Sequence, residues 1–282
     1  MADAMSGRDR PLRFGTIVVV GGGCYGSYYL RQLRRASAAG AAAWSRVLVV
    51  DRDAGCAVVT SGSARPGELS TDAVMLVVEE WRSFFKHYLD DASDHRDAVS
   101  HDAIVPSPLM PHLMFEWIFG RARERWPGRE VATHPLESTP EVPWQRATPN
   151  GPHYVSFAEW ICPINCIEPA ICPHTRSTRT WSLPNTARSY VASEHDRGRA
   201  LAGPVIFHCT HRAYGVGMFD TREVLVGDDL VRSIAEKTAA EVLVGTMSHC
   251  HGAFERLVIG PPTGDGSGTE PGAASRFREH AA

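Results

Sequence analysis

Two kinds of apolar run alternate along the first half of the chain. GTIVVV (residues 15–20) and SRVLVVD (45–51) are short, continuous and β-branched, the pattern of strands buried on both faces. Between them CYGSYYLRQLRRAS (24–37) spaces its apolar residues at three and four, as an amphipathic helix does. Helical spacing returns in AVMLVVEEWRSFFKHYL (73–89) and in LMPHLMFEWIFGRARER (109–125), whose Pro111 falls in a first turn, with a short strand DAIVPS (102–107) between them. The alternation predicts an α/β fold built on a parallel sheet with helices on both faces.

From about residue 136 the periodicity dissolves into Pro, Cys and Arg. Regular pattern resumes with GPVIFHCTH (203–211) as a strand, GDDLVRSIAEKTAA (227–240) as a helix and EVLVGTM (241–247) as another strand. The expected organisation is a flexible start (1–13), a nucleotide-binding α/β domain (14–135), and a Cys/His-rich second domain with a further αβ segment (136–260). A Gly-, Pro- and Ser-rich tail (261–282) is expected to be disordered. Aromatic residues Trp81, Phe84, Phe85 and Tyr88 fall at helical spacing and are expected in the core.

The first strand runs into GGGCYG, a G-x-G-x-x-G string at Gly21, Gly23 and Gly26 that opens the first helix. In that context the first glycine permits a tight turn, the second lets a pyrophosphate approach the backbone, and the third lets helix and strand pack closely. N–H groups at the helix start would then face the anion. Asp51 closes the second strand, placed to accept the ribose hydroxyls of NAD, whereas Arg52 beside it would suit the 2′-phosphate of NADP. On these residues the segment 14–53 resembles the nucleotide-binding βαβ unit of the Rossmann superfamily, which includes NAD-binding dehydrogenases and regulatory domains of potassium-uptake systems. The resemblance implies a Rossmann-like sheet and a dinucleotide held by Gly21, Gly23, Gly26 and Asp51. The triple glycine alone is also similar to the dehydrogenase/chelatase proteins of sirohaem synthesis. An adenosylmethionine site fits less well, because TIVVV carries no acidic residue before the glycines.

Seven cysteines and thirteen histidines change the picture in the second half. Cys162-x3-Cys166-x5-Cys172 places three thiols in one proline-interrupted stretch, with His174 two residues on. A segment with so little apolar surface has a poor core, and a shared metal would order it. Cys209 lies in HCTH with His208 and His211, and Cys250 lies in SHCHG with His249 and His251, each after a strand. The candidate ligands are therefore Cys162, Cys166, Cys172, Cys209, Cys250 and His174, for zinc or alternatively an iron–sulfur cluster. Cys-Pro pairs faintly resemble the end of a bacterial ferredoxin motif, but its tight x2 spacing is absent. As reduced thiols in an irregular loop, the same residues need no metal. Arg176 and Arg179, three apart, would share a helical face and could clamp an anion; Glu168 is an acid or base without a visible partner.

Net charge is −3, which gives no attraction to nucleic acid or to an anionic membrane. No apolar run approaches the ~20 residues of a membrane span, and the first residues form no signal-like segment, so a cytoplasmic protein with reduced thiols is expected. No G-x-S-x-G, Walker A or H-E-x-x-H string supports a hydrolase or NTPase. The expected function is an NAD(P)-dependent oxidoreductase with a Cys/His metal site, acting on a small molecule the sequence does not identify. The alternative is a nucleotide- and metal-responsive regulatory protein without turnover. No residue is assigned as catalytic, and an oligomer is left open.

Overall fold

A computed structural model describes residues 10–149, 151–158 and 162–262. β1 (Leu12–Val20) is followed by α1 (Cys24–Ala38), β2 (Ala42–Asp51), a single helical turn α2 (Ala57–Thr60), β3 (Val74–Val78), α3 (Trp81–Asp94), β4 (Ala103–Val105) and α4 (Leu113–Arg125). Then come β5 (Val131–His134), β6 (Trp144–Arg146), β7 (His153–Ser156), α5 (Leu183–Asp196), β8 (Leu201–His208), β9 (Thr210–His211), β10 (Gly217–Asp220), α6 (Thr221–Ala235), β11 (Ala240–Met247) and β12 (His251–Ile259).

The described strands form two mixed sheets. In the first, order β3-β2-β1-β4-β10-β9, the first four strands are parallel and β10 and β9 extend the sheet antiparallel. Residues Ile17, Val18 and Val19 of β1 are wholly buried because both faces are covered, which is why the strand reads as a continuous apolar run. The second sheet runs β6-β7-β12-β11-β8, with β5 also on β12; only β8 and β11 are parallel in it. Where one parallel sheet is expected, the chain therefore builds two, and the strands at 201–208 and 240–247 lie in the second.

Three clusters of buried side chains set the layers. Leu30 and Leu33 of α1 pack with Ile17, Val19 and Val49 on one face of the first sheet. On its other face Val18, Val20 and Ile104 share a core with α3, α4 and α6 and with Val205, Val244 and Leu257 of the second sheet. Leu183, Ala187 and Val191 of α5 close the far face of that sheet against Leu243 and Phe254. Helices thus cover both faces of the first sheet, and one continuous core joins it to the second.

Several elements differ from the sequence pattern. The run 73–89 is a strand and a helix, because VMLVV is a β-branched stretch and Glu80 then caps α3, accepting from the N–H of Arg82 (2.7 Å) and Ser83 (3.3 Å). α6 begins at Thr221 rather than 227, since Asp220 and Glu223 form a reciprocal capping box. Among the described residues no helix is long and apolar enough to cross a membrane. The expected flexible start falls largely, and the disordered tail almost wholly, outside the described residues.

Candidate functional site

The first sheet delivers its glycine loop as the spacing expects. Gly21 adopts φ +87°, a left-handed conformation, and its N–H donates to the Val50 carbonyl at 2.8 Å. A Cβ on Gly26 would stand 1.8 Å from the Gly21 carbonyl oxygen, so helix and loop approach as closely as the third glycine allows. Gly23, at the N-cap of α1, is different: its φ is −77° and a Cβ there would meet nothing within 4 Å. No side chain caps α1. Asp51 accepts from the Gly22 N–H (2.7 Å) and the Asp53 N–H (2.9 Å), so its carboxylate also braces the loop. Arg52 lies over the Trp81 ring, 5.9 Å from its centroid.

Beside this loop lies a cavity of about 140 Å³ where the carboxyl ends of strands from both sheets meet. Tyr25 and Tyr29 of α1 and the prolines 106, 108 and 111 after β4 line one side. Cys162, Cys166 and Glu168 line another, with Cys209, His211, Ser248 and His251 from the strand ends. Cys209 is the crossing residue: its N–H donates to Met247 of the second sheet (2.8 Å), and the chain then enters β9 of the first.

Glu168 is the anchor of this region. It is buried at φ +53° and accepts from the Ser248 hydroxyl (2.5 Å), the Cys250 N–H (2.9 Å) and the His249 N–H (3.3 Å), with His211 Nδ1 at 3.7 Å. Burial alone would raise its pKa, but the Ser248 hydrogen bond, the His211 imidazole and the bonds from Cys250 and His249 outweigh it and hold the carboxyl below the usual range. His211 is pushed down chiefly by burial, against the pull of Glu168, which favours a neutral ring beside an ionised carboxylate. Burial likewise raises the Tyr29 hydroxyl and lifts Cys209 to about 12, with Glu168 adding to the latter. His208 and His249 meet edge to face, with ring centroids 4.7 Å apart. The cavity thus gathers an anionic acceptor in Glu168, a neutral imidazole in His211, the hydroxyls of Tyr29 and Ser248, and in Cys209 a thiol that holds its proton.

The six candidate metal ligands separate. Cys162 and Cys166 are hydrogen-bonded to each other and line the cavity. Cys172 is buried under a tight turn of its own, closed by its N–H to the Ser177 carbonyl (2.9 Å) and the Arg176 N–H to its carbonyl (2.8 Å). That turn leaves His174 exposed. Cys250 is buried, its sulfur accepting from Trp181 Nε1 at 3.3 Å. Among the described residues no three His, Cys, Asp or Glu side chains gather as a metal ion would require. This donor arrangement does not fit the expected zinc or cluster site, because the thiols are engaged by different local turns. Nor do Arg176 and Arg179 share a helical face: Arg176 sits at φ +57° in the turn, and Arg179 Nε donates to the Pro169 carbonyl (3.2 Å).

Sequence pattern missed Tyr25, Tyr29 and Ser248. The tyrosines stand four apart at the start of α1, a spacing that puts both on one face, and Ser248 stands where β11 ends beside the histidines. Compared with known proteins, residues 114–260 match a family model described as "Uncharacterized protein, C-terminal domain". No curated protein and no solved structure matches the chain.

Proposed function

The chain belongs to that family, AF_1314_C, and from its own geometry we propose that it is a Rossmann-like NAD(P)-binding protein of the oxidoreductase class. The observation that carries the reading is the glycine loop between β1 and α1. Gly21 makes the turn, Gly26 admits the helix, and Gly23 opens onto free space at an uncapped helix start. The parallel order β3-β2-β1-β4 supports the reading, since a Rossmann half orders its strands alike and binds dinucleotides at the carboxyl edge, where this loop lies.

Residues 21–26 would hold the pyrophosphate, and Asp51 keeps acceptor capacity for a ribose hydroxyl, since each of its oxygens takes one N–H bond. A bound nicotinamide cofactor supplies hydride chemistry. The chain's own part is to orient a small substrate in the neighbouring cavity, where Tyr29, Ser248 and His251 offer hydrogen bonds and Glu168 and His211 form a carboxylate–imidazole pair able to hold or pass a proton. No metal step enters, because among the described residues no three donors come together as one ion would require.

Gly23→Val tests the reading cleanly. Its backbone φ of −77° is open to L residues and a Cβ there meets nothing within 4 Å. The substitution is therefore directed at an approaching pyrophosphate rather than at the packing, and a thermal melt of the variant checks that the fold is kept. Calorimetric titration with NAD and NADP should show binding to the native protein and at least a tenfold loss in the variant, about 1.4 kcal/mol. Equal affinity in both proteins, or no binding to the native one, overturns the proposal.

A further inference from the structure

Three thiols line the cavity, yet only two of them belong to one local turn. Cys162 and Cys166 flank a reverse turn closed by the Cys166 N–H to the Pro163 carbonyl at 2.8 Å, and the Cys162 thiol is hydrogen-bonded to that of Cys166. Both are unpaired cysteines, half-buried, with the cavity in front of them. The segment that bears them is fixed two residues later, where Glu168 binds the β11–β12 turn. Proline on one side and a buried carboxylate on the other hold two sulfurs close at little further cost in chain entropy. Cys56, Cys172 and Cys250 are buried, and Cys172 is near enough to Cys162 to act on its thiol.

We propose that Cys162 and Cys166 form a thiol–disulfide exchange site that takes a small disulfide from the cavity. Cys166 attacks one sulfur of the disulfide R–S–S–R as a thiolate. A Cys166–S–S–R bond forms, the R–S–S–R bond breaks, and the departing RS⁻ takes up the proton that Cys166 lost. Cys162 then gives up its proton and attacks Cys166 Sγ, making the Cys162–Cys166 disulfide and releasing the second RSH. Two electrons pass from the two cysteines to the substrate, and a small dithiol returns the pair to the reduced state. Burial first, then the neighbouring Cys166 and Cys172 thiols, raise Cys162 to about 12, which disfavours it as the first attacking group. This chemistry uses no nucleotide and stands whether or not the glycine loop binds one.

The test is differential alkylation and intact-mass measurement of the full chain after exposure to glutathione disulfide. The native protein should lose two alkylatable thiols, both mapped to Cys162 and Cys166, and recover them with dithiothreitol. Cys162→Ser should instead trap one glutathione on Cys166, and Cys172→Ala should behave as native. The proposal is overturned if all thiols remain alkylatable across disulfide-to-thiol ratios that oxidise ordinary dithiols, or if the linkage includes Cys209. It is equally overturned if Cys166→Ser still loses two thiols. NAD titration of the same samples is a separate reading, so failure here and failure of nucleotide binding are told apart.

Discussion

Glu255 stands on a central strand of the second sheet, buried, with neither carboxyl oxygen hydrogen-bonded. Burial first, and the charge of Glu116 second, raise its pKa well above the ordinary 4.5. An acid whose pKa is raised by folding supports the fold fully below its unfolded pKa and loses that support as pH rises toward the folded value. Glu255→Met should therefore be more stable than the native protein by about 1–3 kcal/mol near neutrality, and the difference should widen between pH 5 and pH 8 in urea titrations. A constant difference across that range would mean that the carboxyl is not held neutral. The neighbouring Arg256, by contrast, is fully engaged: it reaches Glu241 at 2.6 Å, Glu137 at 2.7 Å and the Pro135 carbonyl at 3.1 Å. Two ionisable residues in succession are why β12 does not read as a strand from its sequence.

At the scale of elements, legibility follows burial on two faces. The second halves of β1 (17–20) and β2 (47–50) are apolar and buried because helices cover both sides, and their pattern is unambiguous; β3 has the same composition but adjoins α3, so strand and helix merge into one apolar stretch. The boundary is set by Glu80. Glu80→Ala should lower stability by about 1 kcal/mol, read as a shift in denaturation midpoint with unchanged slope; no shift would show that the cap is not what starts α3. α5 escapes notice for another reason. Its buried stripe is thin, made of Leu183, Ala187, Tyr190 and Val191, and it ends on a buried Glu194 satisfied by Ser138 (2.7 Å), Arg197 (2.7 Å) and Arg199. Of these partners Ser138, 56 residues away, leaves no local signal.

At the scale of the whole molecule, the site exists because two sheets meet at their carboxyl ends. The glycine loop was legible, since its spacing and context are local. The gathering of Cys162, Cys166, Cys209 and His211 around one cavity was legible in part: the clusters after β8 and β11 are neighbours, as strands of one sheet make them, but the thiols of the proline-rich stretch divide between separate turns. What joins that stretch to the sheet is Glu168. Glu168→Ala removes the acceptor for the Cys250 and His249 N–H groups, at a cost of about 1–3 kcal/mol, and should speed tryptic cleavage at Arg176 and Arg179. Unchanged cleavage would show that the stretch is held by other contacts.

The claim on which the functional account rests is that the loop after β1 is an anion cradle for a dinucleotide. Amide hydrogen exchange of residues 21–26, followed with and without saturating NAD, tests it most directly. Slowed exchange at this loop and the first turn of α1, lost in Gly23→Val, is the result expected; identical exchange there in the presence and absence of nucleotide would contradict it.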